Sequence, residues 1–324
     1  MISRFFNREP ETRLFFATDI HGSETCWRKF LNSGKHYEAK VMVLGGDMTG
    51  KALVPIVEES AGRWYATLLE NRRDFTTEDE VKEFEDSVRR RGYYPFRTDP
   101  EEMAELESNE QLRHDLFHKE MLGGVERWMR MADEKLEGTG IECFVSPGND
   151  DQFEVDEIIA NAKRVKLAEG RVMEFGDFQM VSTGWANRTP WDTYREEDEP
   201  DLAARLKKMT SQVTAAPEKT IYNFHCPPYH SGLDEAPEID ADMRPKHGGR
   251  SIVPVGSTAV REAIEEGQPA LALHGHIHEA RGNTRIGRTL CINPGSSYEQ
   301  GQLLGAVVDL DGGKKVKRFV LTSG

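Results

Sequence analysis

Residues 14–22 read L-F-F-A-T-D-I-H-G, a short apolar run that stops abruptly at an aspartate and a histidine. A run of this length that is rich in Phe and ends in turn residues is typical of a buried strand. Side chains two residues apart on an extended segment point to the same side, so Asp19 and His21 could share one cation. Taken alone the pair means little, because D-x-H arises often by chance.

The pattern of an apolar run followed by polar turn residues recurs along the chain. In open α/β sheets, ligands bind where the carboxyl ends of the strands meet their loops, so we expect these polar side chains to lie together. The further runs are residues 41–44 before G-G-D-M-T-G, 141–145 before S-P-G-N-D-D, 221–224 before H-C-P-P-Y-H, 270–273 before H-G-H-I-H and 289–292 before N-P-G-S-S.

The composition limits the kinds of molecule that the protein is expected to bind. The chain has 324 residues and a formal net charge of −14. This charge argues against long nucleic acids, because phosphate contacts along a polyanion need clustered Lys and Arg. It leaves room for a small phosphorylated substrate, since bound metal ions can supply positive charge locally.

Cysteine spacing and hydropathy predict a cytoplasmic protein without a membrane span. No Cys-x-x-Cys pair is present, so structural zinc clusters and a disulfide framework are not expected. Residues 1–10 lack the apolar run of a signal peptide, and no stretch of about 18 apolar residues could span a membrane. The cysteines are Cys26, Cys143, Cys226 and Cys291.

The region 51–140 differs from the rest and is predicted to be an insertion subdomain, a hairpin followed by helices. The remaining residues, 1–50 and 141–324, would form the core. Residues 52–57 and 63–69 predict the hairpin strands. The plain interpretation is a solvated helical insertion; the sharper ones are a lid over the site or a contact between copies in a homo-oligomer.

Local signals place the helices of this region. Thr77 and Glu80 have the spacing of a capping box, and residues 98–102 (T-D-P-E-E) predict a second helix start with proline in its first turn. We expect a helix break at Gly123–Gly124.

Each polar motif has an ordinary alternative. The aspartate of G-G-D, Asp47, could belong to a simple turn. A single histidine such as His225 is more often a hydrogen-bonded structural residue than a ligand, and His274 is expected to be a core histidine. Asn149 could cap the helix predicted to begin a few residues later; if Asn149 is a ligand instead, the cap is expected at Asp150 or Asp151. His276 and His278 are more specific, because imidazoles at i and i+2 can serve two adjacent ions or clasp one.

Taken together, the motifs are harder to explain as turns, caps and structural histidines. In chain order they give D-x-H, G-G-D, G-N-D, a histidine and G-H-x-H, all at predicted strand ends. A mixed shell of His and Asp with one amide oxygen suits two borderline divalent ions such as Mn, Fe or Zn. Two ions about 3.5–4 Å apart form the clamp used for in-line displacement at phosphorus.

These five ordered motifs resemble the calcineurin-like metallophosphoesterases, over nearly the whole chain except residues 51–140. The resemblance implies a four-layer α/β/β/α sandwich, a dinuclear site and attack on phosphorus by a hydroxide that bridges the ions. F-H-C-P-P-Y-H-S-G-L-D-E-A-P, L-H-G-H-I-H-E and I-N-P-G-S-S-Y are most similar to a prokaryotic subgroup of predicted phosphoesterases related to cyclic-nucleotide phosphodiesterases. By motif position, one metal would be held by Asp19, His21 and His278, the other by Asn149, His225 and His276, with Asp47 bridging them.

The chain departs from the family pattern G-N-H-[DE] at Asp150, where the histidine would donate a proton to the leaving group. An ionised aspartate donates nothing, and nearby cations would lower its pKa further. The substrate could therefore be a diester with a good leaving group, or His230 could act instead, or the site could be catalytically weak. Asp151 would support metal-bound residues through hydrogen bonds.

The leading hypothesis is therefore a metal-dependent phosphoesterase that hydrolyses phosphodiester bonds of a small substrate. The alternative is a catalytically weak metal-binding scaffold or interaction protein on the same fold. A nuclease acting on long DNA or RNA is disfavoured by the charge and by the lack of a basic stripe with interleaved aromatic residues.

Overall fold

The computed structural model describes residues 12–311 and 315–324; residues 1–10, on which the signal-peptide prediction rests, lie outside it. Two six-stranded sheets stack face to face, and helices cover both outer sides. The architecture is the predicted four-layer α/β/β/α sandwich, with a further four-stranded sheet and helices inserted after the second strand. The fold-class prediction is confirmed.

The helices and strands are numbered along the chain. The helices are α1 (Glu24–His36), α2 (Glu78–Arg90), α3 (Pro100–Ser108), α4 (Glu110–Leu136), α5 (Glu154–Ala160), α6 (Glu199–Thr210) and α7 (Thr258–Gly267). The strands are β1 (Thr12–Ala17), β2 (Val41–Leu44), β3 (Leu53–Ser60), β4 (Arg63–Leu68), β5 (Asn71–Phe75), β6 (Tyr94–Thr98), β7 (Glu142–Val145), β8 (Val165–Leu167), β9 (Arg171–Phe175), β10 (Phe178–Thr183), β11 (Ala186–Asn187), β12 (Glu196–Glu197), β13 (Thr220–Phe224), β14 (Glu235–Pro237), β15 (Ile252–Pro254), β16 (Leu271–Leu273), β17 (Gly282–Ile286), β18 (Thr289–Asn293), β19 (Leu304–Asp311) and β20 (Lys315–Ser323).

Parallel pairing aligns the strand ends. The first sheet has the order β20-β19-β1-β2-β7-β8, and the second has the order β17-β18-β16-β13-β10-β9. β1, β2, β7 and β8 run parallel to one another, as do β10, β13, β16 and β18. Each apolar run predicted from the sequence is one of these strands, with ends within two residues, so their polar loops emerge along one edge of each sheet.

The core lies in three layers, and β1 contributes to two of them. Leu14 and Phe16 face the second sheet, whereas Phe15 and Ala17 face the outer helices. Because successive side chains on a strand point to opposite faces, a strand buried on both sides reads as a continuous apolar run. Polar residues are therefore confined to the loops in which such a strand ends.

The inserted region forms its own sheet, in the order β5-β4-β3-β6. β3 and β4 make the predicted antiparallel hairpin. The capping box is present: Thr77 Oγ1 accepts from the Glu80 N–H, and the Glu80 carboxylate accepts from the Thr77 N–H. Asp99 caps α3, with Pro100 in its first turn. Whether residues 51–140 form a separate folding unit stays a prediction.

Helix α4 links the insertion to the core. The indole of Trp128 in α4 stacks on that of Trp27 in α1, with ring centroids 5.1 Å apart and planes 6° from parallel. The Trp27 Nε1–H also donates to the Trp128 carbonyl. The second half of α4 therefore belongs to the helical layer that covers the first sheet.

Two local predictions are wrong. Helix α4 continues unbroken across Gly123 and Gly124, because packing of its apolar face compensates for the low helix propensity of glycine. Helix α5 begins at Glu154 with Phe153 at its N-cap and no side-chain cap, so Asn149, Asp150 and Asp151 do not cap it. All three lie in the loop before it.

All four cysteines are buried and free. Among the helices that the structure describes, none has the length and apolar character needed to cross a membrane.

Replacing Gly123 by Ala should stabilise the protein by about 0.5–1 kcal/mol, because Gly123 is helical and a Cβ there meets no atom within 4 Å. Gly124→Ala is the matched control, since its Cβ would lie 3.2 Å from the Tyr94 ring and lose part of that gain. Urea unfolding followed by circular dichroism measures both. A destabilised Gly123→Ala variant would contradict the continuous helix.

Candidate metal centre

Loops at the carboxyl ends of five strands bring the predicted ligands together. The side chains are buried except those of His276 and His278, which are partly exposed. They are Asp19 and His21 after β1, Asp47 after β2, Asn149 after β7, His225 after β13, and His276 and His278 after β16.

The backbone at several of these positions is left-handed, which is uncommon for residues other than glycine. The φ angles are 52° at Asp19, 37° at His21, 48° at Asp47 and 68° at His276. Such conformations cost on the order of 1 kcal/mol each and persist where the surroundings enforce them. Two hydrogen bonds hold this backbone in place. The N–H groups of Asp19 and His21 donate to the carbonyls of Gly46 and Asp47, which couples the first two loops.

The ligand atoms form two adjoining groups, and a third group that overlaps both combines His21 and Asp47 with Asp150. In the first, Asp19, His21 and His278 place their ligand atoms within 4.8 Å of one another. His21 Nε2 and His278 Nε2 are 3.0 Å apart, and His278 Nε2 is 3.4 Å from Asp19 Oδ1.

The second group, Asp47, His225 and His276, meets the same distance limit. His225 Nε2 is 3.3 Å from Asp47 Oδ2, while His21 Nε2 of the first group is 3.7 Å from the same oxygen. The Asp47 carboxylate therefore lies between the groups, where a bridging ligand is expected.

Unpartnered buried atoms test whether these residues fit metal ions. His21 Nδ1, Asn149 Oδ1 and His225 Nε2 are buried and have no hydrogen-bond partner. A buried polar atom without a partner costs about 1–3 kcal/mol, so natural structures rarely keep several together. The side-chain NH2 group of Asn149 donates to Thr193 Oγ1 at 2.8 Å, so the side-chain carbonyl oxygen points away from that hydrogen bond. These residues fit metal ions.

Protonation favours the same conclusion. Burial would raise the pKa of Asp19, but the nearby His225 and His278 lower it to about 2. Burial lowers the pKa of His21 to about 3 and that of His276 to about 4. Carboxylates in the ionised form and imidazoles in the neutral form are the states that bind metals.

His225 behaves differently from the other histidines. Burial would lower its pKa, yet Asp47 and Asp19 raise it to about 10. The carboxylates thus attract positive charge to this point. His225 Nδ1 lies 3.0 Å from the Gly45 carbonyl, and a hydrogen bond there directs Nε2 toward the cluster.

Asp151 lies beside the cluster without belonging to either ligand group. Its buried carboxylate accepts hydrogen bonds from the backbone N–H groups of Met48 (3.0 Å), Thr49 (2.8 Å) and Gly148 (2.7 Å). It thereby joins the Asp47 loop to the Asn149 loop. Its expected support of metal-bound residues stays a prediction, and these contacts are the means by which it would act.

Asp150 lies at the outer side of the cluster. Its N–H donates to Asp47 Oδ1 at 3.0 Å, and its Oδ2 is 3.9 Å from His21 Nδ1. Lys51 Nζ lies 2.6 Å from the same Oδ2. Burial, and next Asp47, raise the pKa of Asp150 to about 6, against the opposing effect of Lys51.

Lys51 and Tyr298 also lie at the site and were not predicted from the sequence. Lys51 directly follows G-G-D-M-T-G, and its place after a ligand-bearing loop is the signal that could have found it. Tyr298 ends the N-P-G-S-S-Y segment, and its ring centroid lies 4.8 Å from that of His21.

Two further histidines lie apart from the ligand groups. His230 is exposed; its N–H donates to Asp234, and its ring packs on Tyr229. Its role as an alternative proton donor stays a prediction. His274 is fully buried and its Nδ1 lies 2.8 Å from the Phe224 carbonyl, as expected of a core histidine.

Comparison with known proteins gives distant matches. No protein-family model matches the chain. The uncharacterized protein MJ1162 of Methanocaldococcus jannaschii is 29% identical over 158 residues, which are 48% of this chain and 64% of that protein. The chain thus aligns with less than two thirds of this curated relative.

Solved structures match over almost the full chain. A crystal structure of TT1561 from Thermus thermophilus has a TM-score of 0.52 at 13% identity, covering 97% of this chain and 98% of that one. A second crystal structure reaches 0.56 at 16% identity, covering 96% and 98%. A structure described as a novel archaeal phosphodiesterase covers 96% and 99% at 11% identity, but its TM-score of 0.41 is too low to bear on activity.

Addition of Mn²⁺ should raise the melting temperature of the metal-free protein by several degrees, because a ligand at a hundred times its Kd stabilises by about 2.7 kcal/mol. His276→Ala, which removes one ligand atom, should bind less metal and show a smaller rise. Elemental analysis and thermal unfolding measure both effects.

His114→Ala is the control for this experiment, since His114 is an exposed residue of α4. It should bind as much metal as the unaltered protein. Equal metal content in His276→Ala and the unaltered protein would contradict the centre.

Proposed function

We propose that this chain, whose four-layer α/β/β/α sandwich and five ordered motifs resemble the calcineurin-like metallophosphoesterases, is a metal-dependent phosphoesterase that hydrolyses phosphodiester bonds of a small substrate. The observation that carries the proposal is the convergence of the two ligand groups on the Asp47 carboxylate. The fold alone supports no activity.

The residues divide into two sets of ligands. Asp19, His21 and His278 would hold one divalent ion, and Asn149, His225 and His276 the other, with Asp47 shared. Mn, Fe and Zn suit this mixture of imidazole and oxygen ligands. When bound, a pair of such ions supplies Lewis-acid stabilisation of charge on phosphoryl oxygens and a nucleophile at neutral pH.

The remaining contribution of the chain is positioning. The Asp150 N–H holds Asp47 Oδ1, while Asp151 fixes the loops that carry Asp47 and Asn149. Fixing ligands in advance removes the reorganisation that the reaction would otherwise require. The buried surroundings also strengthen each electrostatic contact.

The preference for diesters rests on the leaving group. The Lys51 ammonium beside Asp150 favours the ionised carboxylate, and an ionised carboxylate has no proton to give. A monoester of an alkyl alcohol leaves as a strongly basic alkoxide and needs a proton donor. A diester with a weakly basic leaving group does not, and such substrates match the residues present.

A catalytically weak metal-binding scaffold is the second candidate, and the aspartate at position 150 is the observation that favours it. Retention of both complete ligand groups speaks against a scaffold without metal, because such a protein has no physical need of buried unpartnered ligand atoms. Turnover is what separates the enzyme from a scaffold that binds metal.

Protein loaded with Mn²⁺ should hydrolyse bis-p-nitrophenyl phosphate, and Asp47→Asn should reduce kcat by about a hundredfold or more, the scale of losing a preorganised charge at a reaction centre. Release of the coloured p-nitrophenolate ion is followed by its absorbance. His114→Ala should retain full activity.

The same assay separates the two candidates. Background rates from both the Mn²⁺-loaded protein and Asp47→Asn, with metal content confirmed for the former, would favour the scaffold. Faster turnover of p-nitrophenyl phosphate, a monoester, than of the diester would contradict the diester preference.

A further inference from the structure

The Lys51–Asp150 pair lies at the outer side of the ligand cluster. Asp150 also belongs to the third ligand group, with His21 and Asp47, whereas Lys51 belongs to none. The distance between Lys51 Nζ and Asp150 Oδ2 is 2.6 Å, and the side chain of Lys51 is 54% exposed while that of Asp150 is 19% exposed. The pair thus runs from the buried cluster toward solvent, with the cation on the solvent side.

The same Asp150 oxygen connects the pair to the cluster, since it lies 3.9 Å from His21 Nδ1. The next residue in the contact chain is Asp47, which accepts from the Asp150 N–H. Lys51 is therefore held one side chain away from the atoms proposed to bind metal.

The backbone that carries Lys51 is anchored. The N–H of Gly50 donates to the buried Tyr94 hydroxyl at 2.7 Å. A Cβ at Gly50 would lie 2.0 Å from the Gly92 carbonyl oxygen, so the chain passes closely against the turn before β6. The short Gly50–Lys51 segment emerges from a fixed point, which limits the space that the ammonium can reach.

A lysine ammonium is charged at neutral pH, and that of Lys51 is held by the largely buried Asp150 carboxylate at a partly exposed position. A pair whose cation faces solvent beside a metal cluster is well placed to meet an anion. The proposed substrate class carries a phosphodiester anion, for which lysine is a strong point-charge donor.

We propose that Lys51 binds the anionic phosphoryl group of the substrate at the rim of the metal centre, and that Asp150 is a positioning residue that holds the ammonium there. The inference rests on the proposed function and specifies how that site recognises its substrate. Asp150 would thus serve the site through Lys51 rather than as a proton donor.

Lys51→Gln tests the binding role on the Mn²⁺-loaded protein, with inorganic phosphate as the probe. Calorimetric titration should show phosphate bound about tenfold or more weakly, the scale of losing one charged hydrogen bond. KM for bis-p-nitrophenyl phosphate should rise by a similar factor. Metal content should stay unchanged, which separates lost anion binding from a damaged centre.

Lys166→Gln is the matched control. Lys166 Nζ also lies 2.6 Å from a carboxylate, that of Glu142, and its side chain is 50% exposed. Glu142 begins β7 and so lies at the end of the strand opposite the site loop. This variant should match the unaltered protein in phosphate affinity and in KM.

The positioning role needs a double-mutant cycle with Asp150→Asn. If Asp150 holds Lys51, the loss of phosphate affinity caused by Lys51→Gln should be several-fold smaller in the Asp150→Asn background than in the unaltered protein. An equal loss in both backgrounds would overturn the positioning role.

The outcomes separate this inference from the proposed function. Without hydrolysis by the Mn²⁺-loaded protein the proposed function fails, and phosphate titration still decides whether Lys51 binds the anion. With hydrolysis and equal phosphate affinity in Lys51→Gln and the unaltered protein, the inference alone fails. Absence of measurable phosphate binding by the unaltered protein also overturns it.

Discussion

The hydrogen bonds accepted by the Asp151 carboxylate are the constraint on which the centre depends. They join N–H groups of two loops that follow neighbouring strands, so that Asp47 and Asn149 are placed by one buried acid. The space between the loops is small: a Cβ at Gly148 would lie 2.1 Å from Asp47 Oδ1. Since the strands themselves are fixed by burial on both faces, the loops have few alternative positions.

Much of the fold and of the ligand set can be predicted from the sequence, because a buried parallel strand is a continuous apolar run whose ends are recognisable. An apolar run such as residues 41–44 can stop only where the chain leaves the sheet, and parallel pairing brings those ends to one edge. Local capping chemistry was equally readable at Thr77 and Glu80, and the start of α3 was readable from T-D-P-E-E, where the structure shows Asp99 as the cap.

The features that escaped prediction depend on tertiary contacts. Gly123 remains helical because the face of α4 beside it packs on α1, which no local propensity reveals. Asp150 and Asp151 carry the residue types of a helix cap, yet their carboxylates are engaged by Lys51 and by the Asp47 loop. Lys51 itself belongs to no ligand motif, and its place beside the ligands is evident only from the three-dimensional structure. The expected homo-oligomer contact through residues 51–140 stays a prediction.

The left-handed backbone at Asp19, His21, Asp47 and His276 has a consequence for metal choice. These conformations are set by the fold and by hydrogen bonds between loops, so the ligands need little rearrangement when an ion arrives. Intrinsic affinities of divalent ions follow a common order in which Mn²⁺ binds most weakly, so the choice of metal depends on the geometry of this cavity and on the supply of each ion. The ions that occupy the centre in a cell would then follow from metal supply as well as from the backbone of these loops.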